Sequence, residues 1–145
     1  MDGVEKTPPV LQAFVLADHV YTDAHTGKKV IAGTFNQLWA DKYPTQFATA
    51  TYAYLALREL YGEAQVSLKF IGLADQRVHL QSQPMKVGAS DPRATAELVI
   101  TIPPFPMPEP GDYALEAYAD GVLLGMVRMR LGVRGEGKDP RPPTV

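Results

Sequence analysis

The 145-residue sequence contains no cysteine, which excludes disulfides, thiolate nucleophiles, cysteine-ligated zinc and iron–sulfur clusters together. An excess of either charge is missing too, since 14 basic and 16 acidic residues leave a net charge of -2. Without a positive field to gather phosphates or anionic lipid, neither nucleic acid nor membrane is an expected partner. The longest apolar runs fall short of a membrane span. Residues 1–9 carry Asp2, Glu5 and Lys6 and lack the apolar stretch of a secretory leader, so the expected location is the cytoplasm. No glycine-rich phosphate loop and no Gly-x-Ser-x-Gly elbow occurs.

What the chain does have is apolar material, 46% of its residues, enough to bury one core in one domain. Residues 1–9 and 134–145 read as tails, the second with three prolines and too few apolar residues to offset the entropy of ordering. The domain is expected over residues 10–133.

Within it, short β-branched and aromatic runs alternate with turn signals at the spacing of a sandwich rather than of βαβ units. The pattern predicts an all-β, antiparallel β-sandwich of about eight strands. Residues 10–21 are apolar on both alternating sets as far as Asp18 and His19, the mark of a central strand covered on two sides. Gly27 supplies the positive φ that turns this strand back into residues 28–35. Residues 63–73 alternate most clearly, with Val66, Leu68 and Phe70 against Gln65, Ser67 and Lys69. Residues 77–87 continue the pattern, with Val78 and Leu80 inward, and residues 94–102 set Ala96, Leu98, Ile100 and Ile102 against Thr95, Glu97 and Thr101. Residues 47–62 suit either a strand or a helix capped by Gly62; Thr49, Thr51, Tyr52 and Tyr54 favour the strand.

The last hairpin, residues 112–133, turns at Asp120-Gly121. A plain two-residue turn would pair Tyr113 with Arg128 and place an arginine on the core face. A bulge near Gly121, pairing Tyr113 with Val127 and Leu115 with Gly125, keeps Val127, Met129 and Leu131 inward and Arg128 and Arg130 outward.

Catalytic chemistry is thinly represented. Ser82 and His79, three apart on one strand, point to opposite faces, and the carboxylates are scattered. Asp18, His19, Asp23 and His25 crowd the first hairpin, and Asp18, Asp23 and His25 form the candidate set for a metal-dependent protein or enzyme; ordinary turn chemistry explains Asp23 and His25 as well. No cofactor is implied. The loop over residues 35–47 carries Phe35, Leu38, Trp39, Tyr43 and Phe47, with Trp39, Tyr43 and Phe47 the candidate ligand-binding residues. The alternative is that these rings plug the open end of the core. The run Pro103-Pro104-Phe105-Pro106-Met107-Pro108 reads as a polyproline II crossing between sheets, with Phe105 and Met107 packed.

The segments Ala17-Asp18-His19-Val20-Tyr21 and Gly27-Lys28-Lys29-Val30-Ile31-Ala32-Gly33-Thr34-Phe35 resemble the opening of a family of uncharacterised bacterial proteins, a domain of unknown function. The hairpin from Gly111-Asp112-Tyr113-Ala114-Leu115-Glu116 through Asp120-Gly121 to Leu124-Gly125 is similar to that of many immunoglobulin-like modules. The resemblance implies an immunoglobulin-like sandwich and carries no activity or catalytic residue. The expectation is therefore a non-enzymatic binding or assembly module presenting the aromatic loop of residues 35–47, with a protein partner or self-association; a separate reading is a structural oligomer in which sheet edges or an apolar sheet face are buried between copies.

Overall fold

The structure, a computed structural model, describes residues 7–135. Among them every regular element is a strand: β1 (Val10–Thr22), β2 (Lys29–Thr34), β3 (Gln37–Ala40), β4 (Thr51–Arg58), β5 (Gly62–Gly72), β6 (Val78–Gln81), β7 (Met85–Ala89), β8 (Ala96–Ile102), β9 (Gly111–Ala119) and β10 (Val122–Val133). Sheet A has the order β2-β1-β4-β8, and sheet B the order β3-β10-β9-β5-β6, with β7 also pairing β5. Only β3 and β10 run parallel; the other pairs are antiparallel. No helix of the described residues is long and apolar enough to cross a membrane.

The core lies between the sheets because alternation delivers one face of each strand to it. Within residues 47–62 the ordered element is the strand β4, not a helix, with Ala53, Leu55 and Leu57 buried and Tyr52 and Tyr54 turned the other way. Leu55 and Leu57 meet Val66, Leu68, Leu115, Met129 and Leu131 of sheet B in one cluster. Each such fully buried side chain contributes about 2 kcal/mol of transfer free energy. The proline-rich crossing from β8 to β9 has the expected form: Phe105 and Met107 are buried, and Met107 exchanges two backbone hydrogen bonds with Thr45, at 2.7 and 3.0 Å.

There are ten strands rather than eight, for two local reasons. The loop of residues 35–47 contains β3, which lies along the outer side of β10. Residues 77–87, expected as one strand, are two, because Ser82, Gln83 and Pro84 leave the ladder. Lys69 pairs with Gln81 and Val66 with Met85, so three residues stand opposite two. Proline has no N–H to give a ladder, and the Ser82 hydroxyl takes over, accepting the Leu68 N–H at 2.8 Å while the Ser82 N–H donates to the Leu68 carbonyl at 2.9 Å. A further register shift between Phe70 and Ile71 accompanies an exposed Val78, which was expected inward.

The last hairpin keeps its expected faces with a different register. Asp120 and Gly121 both have positive φ, 49° and 81°, which closes a two-residue turn between Ala119 and Val122. The bulge sits further on, between Leu123 and Gly125, so Leu115 pairs with Val127 and Tyr113 with Met129. Placing the bulge at Gly121 was therefore wrong, because that glycine is needed for the turn itself. Met129 and Leu131 are buried and Arg128 and Arg130 exposed, as the patterning requires.

One polar atom is out of place in this core. The Thr51 hydroxyl is buried without a partner, beside a void of about 10 Å³ bounded by Phe47, Phe70 and Phe105. Valine keeps the shape and removes the unpaired group. Thr51→Val is therefore expected to stabilise the fold by about 1 kcal/mol in chemical denaturation; unchanged or lower stability would show that the hydroxyl is satisfied.

Candidate functional site

Three surfaces stand out in the sequence, and the fold treats them differently. In the aromatic loop, Phe47 is part of the core, its ring 5.5 Å from that of Phe35 and 6.4 Å from that of Phe105, centre to centre. Tyr43, whose peptide to Pro44 is cis, is half-buried and donates its hydroxyl to the Gly132 carbonyl at 2.7 Å. Burial holds its phenol above the ordinary range. Trp39 lies on the outer side of Gly132, where a Cβ would stand 2.5 Å from Cζ3 of the indole, and its Nε1 donates to Gln37 at 3.3 Å. Trp39 and Tyr43 thus converge on Gly132, and Tyr43 also packs against the interior cluster to which Phe47 belongs. The loop fastens β3 to the rest of sheet B.

The first hairpin is held by turn chemistry. The Asp23 carboxylate accepts the backbone N–H groups of His25 at 2.8 Å and Thr26 at 3.0 Å, and these bonds hold its carboxyl below the ordinary aspartate range. Asp18 lies instead against Gly33, its Oδ2 2.5 Å from where a Cβ would be. Among the described residues no three His, Cys, Asp or Glu side chains form a group able to hold a metal ion. Asp18, Asp23 and His25 therefore do not assemble the convergent donor set that the metal-dependent alternative requires.

The two outer sheet faces differ sharply in charge. Outside sheet B stand Glu63, Lys69, Lys86, Asp112, Arg128 and Arg130, and they include the Lys86–Glu63 and Arg130–Asp112 ion pairs, each at 3.1 Å. This is the usual wet face of an antiparallel sheet.

Sheet A presents the opposite. Its register places Val30 and Tyr21 in one row, Ala32 and His19 in the next, then Thr34, Ala17, Tyr52 and Thr101, then Val15, Tyr54 and Val99, and finally Ala13, Ala56 and Glu97. Beyond that last row the pair Val10 and Arg58 ends the face. Its charged groups in the described structure are thus Glu97 and Arg58, both at one end. The Glu97 carboxylate already accepts the Tyr54 hydroxyl, and burial, with that bond, pushes the Tyr54 phenol up to about 12. His19 stacks on Tyr21 with ring centres 5.6 Å apart, and its ring lies 6.2 Å from that of Tyr52. No described strand lies over this face. Tyr21 and Val30, at one end, are 53% and 47% exposed, Val15, Tyr52, Tyr54 and Val99 are half-buried, and Ala17 and Ala56 are buried beneath these neighbours.

The sequence signal for this face was the doubly apolar pattern of residues 10–21. What sequence reasoning missed was that Tyr52, Tyr54 and Val99 stand beside it, because pairing of β1 with β4 and β4 with β8 is non-local.

Trp39 is the single tryptophan, so emission reports its packing alone. Gly132→Ala must displace the indole and is expected to shift its emission to the red; an unmoved maximum would show that Trp39 does not rest on Gly132.

Residues 12–132 match a family described as a family of unknown function, DUF6941. No curated protein matches the chain.

Proposed function

We propose that this chain, which belongs to DUF6941, a family of unknown function, is a non-enzymatic assembly module that pairs with a second copy of itself through the outer face of sheet A. The observation that carries the reading is the absence of charge across the middle of that face, between His19 and Val99, in a protein whose other sheet face is studded with ions. Solvated sheet faces are polar; apolar ones are covered.

Its chemistry suits a copy of itself. Tyrosine hydroxyls both donate and accept, so a face whose polar groups include Tyr21, Tyr52 and Tyr54 can hydrogen-bond to its own duplicate. Facing another copy brings no excess of one charge, and Glu97 enters with a hydrogen bond already made. The fourteen side-chain positions of these rows, each about 4.8 Å across the strands by about 6.8 Å along them, give roughly 460 Å² per copy, or a little under 1,000 Å² in all. That is the size at which specific interfaces begin. The aromatic loop of Trp39, Tyr43 and Phe47 serves here as a fastening of β3 rather than as the contact surface.

In this reading the domain is a single immunoglobulin-like sandwich over residues 10–133, working in the bacterial cytoplasm with a protein partner and neither nucleic acid nor membrane. Support comes from two packed sheets with a two-residue closing hairpin, no cysteine and a net charge of -2.

Sedimentation velocity tests it. The wild type is expected to run near twice the 15.8 kDa chain mass at micromolar concentration, and Val99→Lys, which buries a charge in the contact, to run as a monomer. Met126→Lys, the same change on the outer face of sheet B, leaves the dimer intact. A wild type that is monomeric throughout, or a dimer indifferent to Val99→Lys, overturns the proposal.

A further inference from the structure

On the side of the sandwich where β8 and β6 form the sheet edges, a cavity of about 250 Å³ opens between the sheets. It owes its mouth to the interruption between β6 and β7: Ser82, Gln83 and Pro84 leave the ladder there, so no described strand closes over the gap facing Thr101 and Ile102. The inner wall is apolar, formed by Leu68, Ile102 and Leu115, which are 2%, 4% and 1% exposed. The rim is uncharged, formed by Gln81, Ser82, Gln83 and Thr101, of which Ser82 has its hydroxyl placed by hydrogen bonding.

We propose that this cavity binds a small neutral molecule, mostly apolar, with one hydrogen-bond acceptor directed at the rim. Three features of the lining carry the assignment. Its volume exceeds the roughly 150 Å³ that suffices for benzene in an apolar protein cavity, so it takes a bicyclic aromatic or a short alkyl chain. Among the described residues no charged side chain lines it, and an ion taken into such a space would lose its hydration with no counter-charge in return. Ser82 is fixed by two hydrogen bonds with the Leu68 backbone, in which its hydroxyl oxygen accepts; the hydroxyl proton is left to donate to a guest. Ile102 and Leu115 also bound the small void beside Thr51, so the inner wall has space behind it into which to yield. The site is on a different side of sheet A from the proposed contact face, in the gap between the sheets, and does not depend on self-association.

Titration of the full chain with quinoline, a neutral bicyclic aromatic whose ring nitrogen accepts a hydrogen bond, followed by methyl NMR, tests the assignment. Quinoline is expected to give saturable shifts at Leu68, Leu80, Ile102 and Leu115, with Leu131 unmoved. Benzoate, of similar apolar character but charged, gives none. Leu80→Trp fills the cavity and is expected to weaken quinoline binding by about tenfold; if that variant does not fold, Leu80→Phe makes the same test with a smaller ring. Shifts that never saturate, equal binding of benzoate, or undiminished binding by the filled variant would overturn the proposal.

Discussion

A two-layer sandwich offers each sheet only one covered face, because its strands turn alternate side chains to opposite sides. Everything distinctive in this protein follows from how that constraint is met. Sheet B obeys it over most of its strands: Val66, Leu68 and Phe70 go in, while Lys69 and the arginines of β10 go out. Sheet A obeys it on the inside and departs from it on the outside, where a row of aromatic and small apolar residues faces water. Such a departure exposes apolar area and gains nothing within one chain. It becomes intelligible when the outer face is itself an inner face of a larger assembly.

The sequence was legible wherever its message was local. Alternation located β5 and β8 closely, the glycine at position 27 marked the first turn with φ +73°, and the proline-rich segment announced a crossing with two buried anchors. Even the inward set of β10 could be read, because an arginine on the core face is so unfavourable that it constrains parity. What parity does not constrain is register, which depends on where an extra residue is housed. Here Asp120 and Gly121 are committed to the turn, so the bulge moved to Leu124, and Gly125 accommodates Leu11, whose Cδ2 leaves no room for a Cβ.

The non-local choices were not legible. Nothing in residues 35–47 announces that four of them lie parallel to a strand more than ninety positions away, and the rings there looked equally suited to recognition and to packing. Ser82-Gln83-Pro84 reads as a continuation of a strand until the partner is known; only then does the serine hydroxyl appear as a replacement for a ladder bond, and the gap beside it as a cavity. The outer face of sheet A had a signal in the two apolar sets of residues 10–21, read as a strand covered twice. It is central in its sheet, as that pattern implies, yet among the described residues one of the two covers is missing.

If sheet A pairs with its own duplicate, its outer face is shielded in solution while that of sheet B is not. Relaxation of side-chain methyl groups by a soluble paramagnetic reagent measures this directly. With rising protein concentration, Val15 and Val99 should lose their response to the reagent while Met126 keeps its own. Equal and undiminished responses from all three at every concentration would contradict the pairing.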